Sequence, residues 1–74
     1  MAIVRQMENI TLERDSSHSE VNATYTVVVG DNGEKYLQVD TYGSTKRQEI
    51  GKKSQSVRFS PEAIEQLKSI IAAL

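Results

Sequence analysis

The feature that most constrains this chain is a change in the spacing of its apolar residues at Ser60. Before this position, Val57 and Phe59 alternate with polar residues, as in a strand with one buried face. After it, apolar residues recur every three or four positions, as in an amphipathic helix. Ser60 is a favourable N-cap and Pro61 suits the first helical position, so a helix over residues 61–74 is predicted. A strand that leads directly into a helix indicates an α+β fold.

Three earlier stretches of the chain also alternate apolar and polar residues and are predicted to be strands. They cover residues 9–14, 21–29 and 36–42. Together with residues 55–59 they give the order β-β-β-β-α, and short connections favour antiparallel neighbours. The predicted α+β fold is a four-stranded antiparallel meander followed by one C-terminal amphipathic helix packed on one face. Residues 1–74 are expected to form a single domain.

The turn between the second and third predicted strands has the sequence Gly-Asp-Asn-Gly at residues 30–33. A two-residue turn would place Val27 opposite the polar Gln38, whereas a three-residue loop pairs Val27 with Leu37. A shift of one residue moves every side chain to the other face, so the three-residue loop is predicted. This loop requires a left-handed conformation at Gly33, as in a hairpin with a G1 bulge.

Composition limits what so short a chain can be. It has 74 residues, no cysteine and one histidine, which excludes a disulfide framework and makes a structural zinc site implausible. Neither a metal nor a cofactor is predicted. A chain of this size buries a thin core and often gains stability by association, so a homodimer is predicted. The N-terminal residues lack the apolar region of a secretory signal and no segment is long enough to span a membrane, which predicts a cytoplasmic protein.

Charge is distributed unevenly along the chain. The net charge is −1, but residues 1–45 carry three basic and seven acidic side chains, whereas residues 46–58 carry five basic and one acidic. We call residues 43–54 the basic loop. Local positive charge of this kind can contact phosphates. The basic side chains in or next to this loop are Lys46, Arg47, Lys52, Lys53 and Arg58.

Two tyrosines are predicted to lie beside these basic residues. Tyr36 and Tyr42 fall on the same non-core face of the third predicted strand, and Arg58 falls on the non-core face of the fourth. Aromatic rings next to positive charge are typical of proteins that bind single strands by stacking bases and attracting the backbone. Asp40 lies between the two tyrosines and weighs against nucleic acid.

No group of residues in the sequence indicates catalysis. His18 is the only conventional base at neutral pH, and it lies in a serine-rich stretch, residues 15–19, that is typical of a simple reversal. Residues 30–33 lack the lysine of a phosphate-binding loop and the ligand spacing of a calcium loop. The chain is therefore predicted not to be an enzyme.

The predicted helix is more apolar than contact with one sheet requires. Its large apolar residues extend around the helix, and small alanines near its end would allow another helix to approach closely. We therefore predict that the helix contributes to a dimer interface. The predicted interface residues are Ile64, Leu67, Ile70, Ile71 and Leu74.

Residues 57–68, with the sequence Val-Arg-Phe-Ser-Pro-Glu-Ala-Ile-Glu-Gln-Leu-Lys, resemble the strand-to-helix junction of the positive-cofactor-four type of transcriptional coactivators. Lys-Tyr-Leu-Gln-Val-Asp at residues 35–40 and Gly-Lys-Lys at residues 51–53 also fit that family's pattern. The resemblance covers about residues 24–71. It implies a curved four-stranded sheet with a C-terminal helix, dimerisation through the helices, and binding of single-stranded DNA. By the same resemblance, phosphates would be contacted by Lys46, Arg47, Lys52, Lys53 and Arg58, and bases would stack on Tyr36 and Tyr42.

Two functions are therefore predicted. The first is a non-catalytic module, related to transcription, that binds single-stranded DNA through the basic loop and the open sheet face. The alternative is a small protein-interaction or accessory module that acts as a homodimer without nucleic acid. Salt dependence separates them, because affinity for phosphates falls steeply as salt rises.

Overall fold

The computed structural model describes residues 1–18, 20–43 and 53–74. These residues form one four-stranded sheet and one C-terminal helix, which confirms the α+β class. The order of strands across the sheet is first, fourth, third, second. The elements are β1 (Ala2–Val4), β2 (Ala23–Val29), β3 (Lys35–Tyr42), β4 (Lys53–Phe59) and α1 (Pro61–Ala72).

The predicted antiparallel meander is wrong in its first strand. Strand β1 lies parallel to β4, with Ala2 opposite Val57 and Val4 opposite Phe59, so the sheet is mixed. Residues 9–14 do not form the predicted strand, although they alternate apolar and polar side chains. The long connection from β1 to β2 reaches from one edge of the sheet to the other, which allows a crossover that a short hairpin could not make.

The predicted hairpin register is confirmed. Strands β2 and β3 are antiparallel, with Val27 opposite Leu37. The Gly30 N–H donates to the Glu34 carbonyl at 2.8 Å, which closes a loop of three residues. Gly33 has a φ of 83°, the left-handed conformation that the register requires.

Strands β3 and β4 are antiparallel, but their pairing contains an irregularity. Thr41 lies opposite Gln55, whereas the next residue of β3, Tyr42, lies opposite Lys53. One extra residue of β4, Ser54, is therefore accommodated at this point, as in a β-bulge. Successive side chains of a strand point to opposite faces, so strict alternation would put Lys53 on the same face as Val57 and Phe59. The bulge puts it instead on the face of Tyr42.

The helix begins as predicted. Ser60 is the N-cap, its hydroxyl accepts from the Ala63 N–H at 3.2 Å, and Pro61 occupies the first turn. On the outer surface Lys68 forms an ion pair with Glu65 at 2.8 Å. The helix contacts β3 and β4. A helix is about 10 Å wide and strands are spaced by about 4.8 Å, so one helix covers about two strands of a sheet.

The distribution of burial differs from the expected one. Leu37 and Val39, on the predicted core face of β3, are only half-buried. The most buried side chains of β3 are instead Tyr36, Gln38 and Asp40, on the face that the sequence predicted to be open. Asp40 and Gln38 hydrogen-bond across the strands to Ser56 and Arg58. The Tyr36 hydroxyl contacts Arg5 and Glu34 instead.

Candidate nucleic-acid interface

The candidate site is one face of the paired strands β3 and β4, which we call the polar face. Here Gln38 lies opposite Arg58 and Asp40 opposite Ser56. The bulge adds a third pair, in which Tyr42, just before the basic loop, lies opposite Lys53, near the end of that loop. The polar face comprises Tyr36, Gln38, Asp40, Tyr42, Lys53, Ser56 and Arg58.

Asp40 lies at the centre of the polar face and is only 3% exposed. Its carboxylate accepts from the Ser56 hydroxyl at 2.5 Å and from Gln38 Nε2 at 3.1 and 3.0 Å. Lys53 Nζ lies 3.2 Å from its second oxygen. The hydrogen bond from Ser56, then those from Gln38 and Lys53, lower the pKa of Asp40 against the opposing effect of burial. Asp40 is therefore a carboxylate at neutral pH.

Arg58 is held at one edge by Gln38. The Nε group of Arg58 donates to Gln38 Oε1 at 2.7 Å, and the Arg58 side chain is half-buried. A carboxylate only accepts hydrogen bonds and a guanidinium only donates them. Gln38 can satisfy both Asp40 and Arg58 in one orientation alone, with its nitrogen toward Asp40 and its oxygen toward Arg58.

A second cluster continues the polar face toward the start of the helix. Arg5 Nη2 donates to the Tyr36 hydroxyl at 3.3 Å, and the guanidinium carbon lies 5.9 Å from the centre of the Tyr36 ring. The hydroxyl in turn donates to Glu34 at 3.1 Å. The hydrogen bond and the charge interaction with Tyr36 raise the pKa of Arg5, so its positive charge is permanent.

The structure brings together some of the predicted site residues. Arg58 and Tyr42 share the polar face, as strand alternation predicted, and the bulge adds Lys53 to it. Tyr36 is also on this face but is only 8% exposed, whereas Tyr42 is half-buried and its hydroxyl lies 2.9 Å from the Thr24 hydroxyl. The remaining predicted contacts, Lys46, Arg47 and Lys52, lie outside the described residues.

Sequence reasoning missed three members of the site. Arg5 reaches the polar face because β1 pairs with the edge of β4. The three residues of β1 are too few to form a pattern that would predict this pairing. Strand alternation puts Gln38 and Ser56 on the non-core face but gives them no role. The register between β3 and β4 would have identified both residues, because it places Gln38 opposite Arg58 and Ser56 opposite Asp40.

The predicted dimer residues divide into two groups along the helix. Ile64 and Leu67 are half-buried within the chain. Ile70, Ile71 and Leu74 are exposed, and Ile70 and Leu74 line a groove together with Ile10 from the segment that follows β1. These exposed residues remain candidates for contact with another molecule.

Within the described part of the chain, no three histidine or acidic side chains come together as metal ligands would. No helix among the described residues has the length and apolar character needed to cross a membrane. The chain matches no protein-family profile, no curated protein sequence and no solved structure.

Proposed function

We propose that this protein is a non-catalytic module that binds single-stranded nucleic acid, with DNA as the expected ligand and with a role in transcription like that of the coactivators it resembles. The observation that supports this function is the cross-strand pair of Tyr42 and Lys53 on the polar face. Both residues lie at the ends of the basic loop, and the Lys53 side chain is 58% exposed. A ring beside an ammonium group can stack a base while the ammonium contacts a phosphate.

Further positive charge lies along the same face. Arg58 follows Lys53 along β4, and Arg5 lies just beyond the end of β1, near Tyr36. A single strand that runs along β4 would therefore meet Lys53, Arg58 and Arg5 in turn. Attraction to the backbone at several points, with little reading of base edges, predicts binding that tolerates different sequences.

The test is fluorescence anisotropy with labelled oligonucleotides of about 20 nucleotides, single-stranded and double-stranded, over a series of salt concentrations. We expect the single strand to bind more tightly than the duplex, and the affinity to fall as salt rises. Failure to bind the single strand at low salt would exclude the proposed function.

A matched pair of variants locates the site. Lys53→Gln removes a positive charge from the polar face, whereas Lys68→Gln removes the same charge from the outer surface of the helix. Lys53→Gln should weaken binding and reduce the slope of log affinity against log salt by roughly 0.7, the value for one phosphate contact on a single strand. Lys68→Gln should leave both quantities close to those of the unchanged protein. Equal effects of the two variants would show that net charge, and not this face, governs binding.

We also propose that the protein is a homodimer, and a separate observation favours this. An apolar row on β2 is open to solvent, where Tyr25, Val27 and Val29 are 77%, 59% and 62% exposed. A second copy that covers this row would remove apolar surface from water, which a chain with so small a core can use for stability. If no nucleic acid binds, a homodimeric protein-interaction module is the function that this surface favours.

A further inference from the structure

We infer that Asp40 is a positioning residue for nucleic-acid binding: through Gln38 it orients the Arg58 guanidinium so that its terminal nitrogens bind a backbone phosphate. This inference rests on the proposed function and deepens it. It reverses the simplest expectation for Asp40, because a carboxylate in the middle of a phosphate-binding face would ordinarily oppose binding.

The hydrogen bonds around Gln38 have a fixed direction. Asp40 accepts from Gln38 Nε2 with both of its oxygens, and this fixes the amide of Gln38 with Oε1 toward Arg58. Ser56 and Lys53 hold the carboxylate itself in place. Gln38 and Asp40 are both buried, so water cannot readily replace these partners.

Arg58 keeps its two terminal nitrogens for a ligand. Its Nε group is used by Gln38, and among the described residues no hydrogen bond involves its two Nη groups. A guanidinium donates in a planar fork, and two terminal N–H groups match two oxygens of one phosphate. An arginine that is already fixed at its Nε edge loses less side-chain entropy when it binds.

The substitution Asp40→Asn should disturb this chain of hydrogen bonds. The asparagine keeps the shape of the side chain but replaces one acceptor by a donor, which faces the donors of Gln38 or Lys53. Gln38 can then relieve the conflict by turning its amide, and this presents its nitrogen to the Nε group of Arg58. Asp40→Asn therefore removes a negative charge and frees Arg58 at the same time, and the two effects change affinity in opposite directions.

The first experiment uses the protein without nucleic acid. NMR exchange of the Arg58 Nε–H proton with water reports whether Gln38 accepts its hydrogen bond. We expect this proton to be protected in the unchanged protein and unprotected in Asp40→Asn. Gln38→Met, which keeps the bulk of Gln38 without its amide, should also remove the protection. A proton that stays protected in Asp40→Asn would overturn the inference.

The second experiment measures binding of a single-stranded oligothymidine by anisotropy. Asp40→Asn and Gln38→Met should each bind about fivefold more weakly than the unchanged protein, the effect of roughly one hydrogen bond. Asp31→Asn removes the same charge from the exposed hairpin loop and serves as the control, with binding unchanged or slightly tighter. In an Arg58→Ala background, Asp40→Asn should cause no further loss, because its effect acts through Arg58.

The outcomes separate the two proposals. Tighter binding by Asp40→Asn, equal to that of Asp31→Asn, would show that Asp40 acts only as a charge and would overturn the positioning role. Absence of binding by the unchanged protein would overturn the proposed function and, with it, the phosphate as ligand. In that case the exchange of the Arg58 proton would still decide whether Asp40 orients Arg58.

Discussion

Asp40 carries a full charge on a sheet face where only 3% of its surface is exposed. Such a group is tolerated when each of its oxygens has donors nearby, and Ser56, Gln38 and Lys53 supply them. Among the described residues, no buried side-chain polar atom lacks a hydrogen-bond partner. The polar face is thus a satisfied network, which explains how a chain with so small a core can bury charge in its sheet.

The lowered pKa of Asp40 predicts how stability depends on pH. Its folded-state pKa lies below the value in the unfolded chain, so the carboxylate stabilises the fold at neutral pH. This contribution is lost as pH falls, starting near pH 5 and continuing through the folded-state pKa, because the unfolded chain takes up the proton first. Urea unfolding at a series of pH values should therefore show a shallower acid decline for Asp40→Asn. An unchanged decline would contradict the prediction.

Gly30 shows a constraint that composition alone does not reveal. A Cβ atom at this position would lie 3.0 Å from Cε1 of the Tyr36 ring. The ring is rigid and is held at its hydroxyl by Arg5 and Glu34, so it cannot easily move away. The sequence marks Gly30 only as part of a turn, whereas the structure shows that it also makes room for a buried aromatic side chain.

At the scale of elements, the β2–β3 hairpin depends on the left-handed backbone of Gly33. No heavy atom lies within 4 Å of a Cβ built at this position, so the cost of Gly33→Ala is conformational and not steric contact. We expect Gly33→Ala to lower the free energy of unfolding by roughly 1–2 kcal/mol. Gly33→Asn should lose less, because asparagine tolerates this conformation. Urea unfolding of both variants at one protein concentration measures the two free energies of unfolding. Equal losses in the two variants would contradict the prediction.

The hairpin, β4 and the start of the helix could be predicted because each depends on local signals. The register followed from opposing apolar residues such as Val27 and Leu37 across a short loop, and the helix start followed from Ser60 and Pro61. Strand β1 could not be predicted, since three residues carry no pattern and their partner lies more than fifty positions away. The alternation around Ile10 has the pattern of a strand without a neighbouring strand to pair with.

The candidate site was predictable to a smaller extent than the fold. Alternation placed Arg58 and Tyr42 on one face correctly, but it would place Lys53 on the opposite face. The bulge at Ser54 moves Lys53 to the polar face. No residue type in the sequence predicts a bulge at this position. Nor could alternation show that Tyr36 is buried or that it contacts Arg5, which lies just after the unpredicted strand β1.

At the scale of the whole molecule, the apolar surface is too large for one helix to cover. The helix contacts β3 and β4, while the apolar row of β2 (Tyr25, Val27 and Val29) and the helix end (Ile70, Ile71 and Leu74) remain exposed. A monomer would hold both surfaces in water, at a cost of roughly 25 cal/mol for each Å² of apolar area that could be buried. A second copy that covers them would supply the core that the short chain lacks.

The proposed dimer makes a prediction for two adjacent residues of β2. Val27→Lys adds a charge within the exposed apolar row, whereas Thr26→Lys adds the same charge on the opposite face of the same strand. Burial of a lysine in an apolar interface is costly, so Val27→Lys should raise the dimer dissociation constant by at least tenfold, which corresponds to about 1.4 kcal/mol. Ile71→Lys should act in the same direction from the helix, and Thr26→Lys should have little effect.

Sedimentation equilibrium over a range of protein concentrations measures these dissociation constants directly. Circular dichroism of each variant shows whether the fold is kept, so that a loss of association can be separated from a loss of structure. A monomeric unchanged protein at every concentration would refute the dimer. If Val27→Lys and Thr26→Lys weakened association equally, the apolar row would not be part of the interface, and added charge alone would account for the change. We expect Val27→Lys to weaken association more than Thr26→Lys does, because a second copy would remove the apolar row from water.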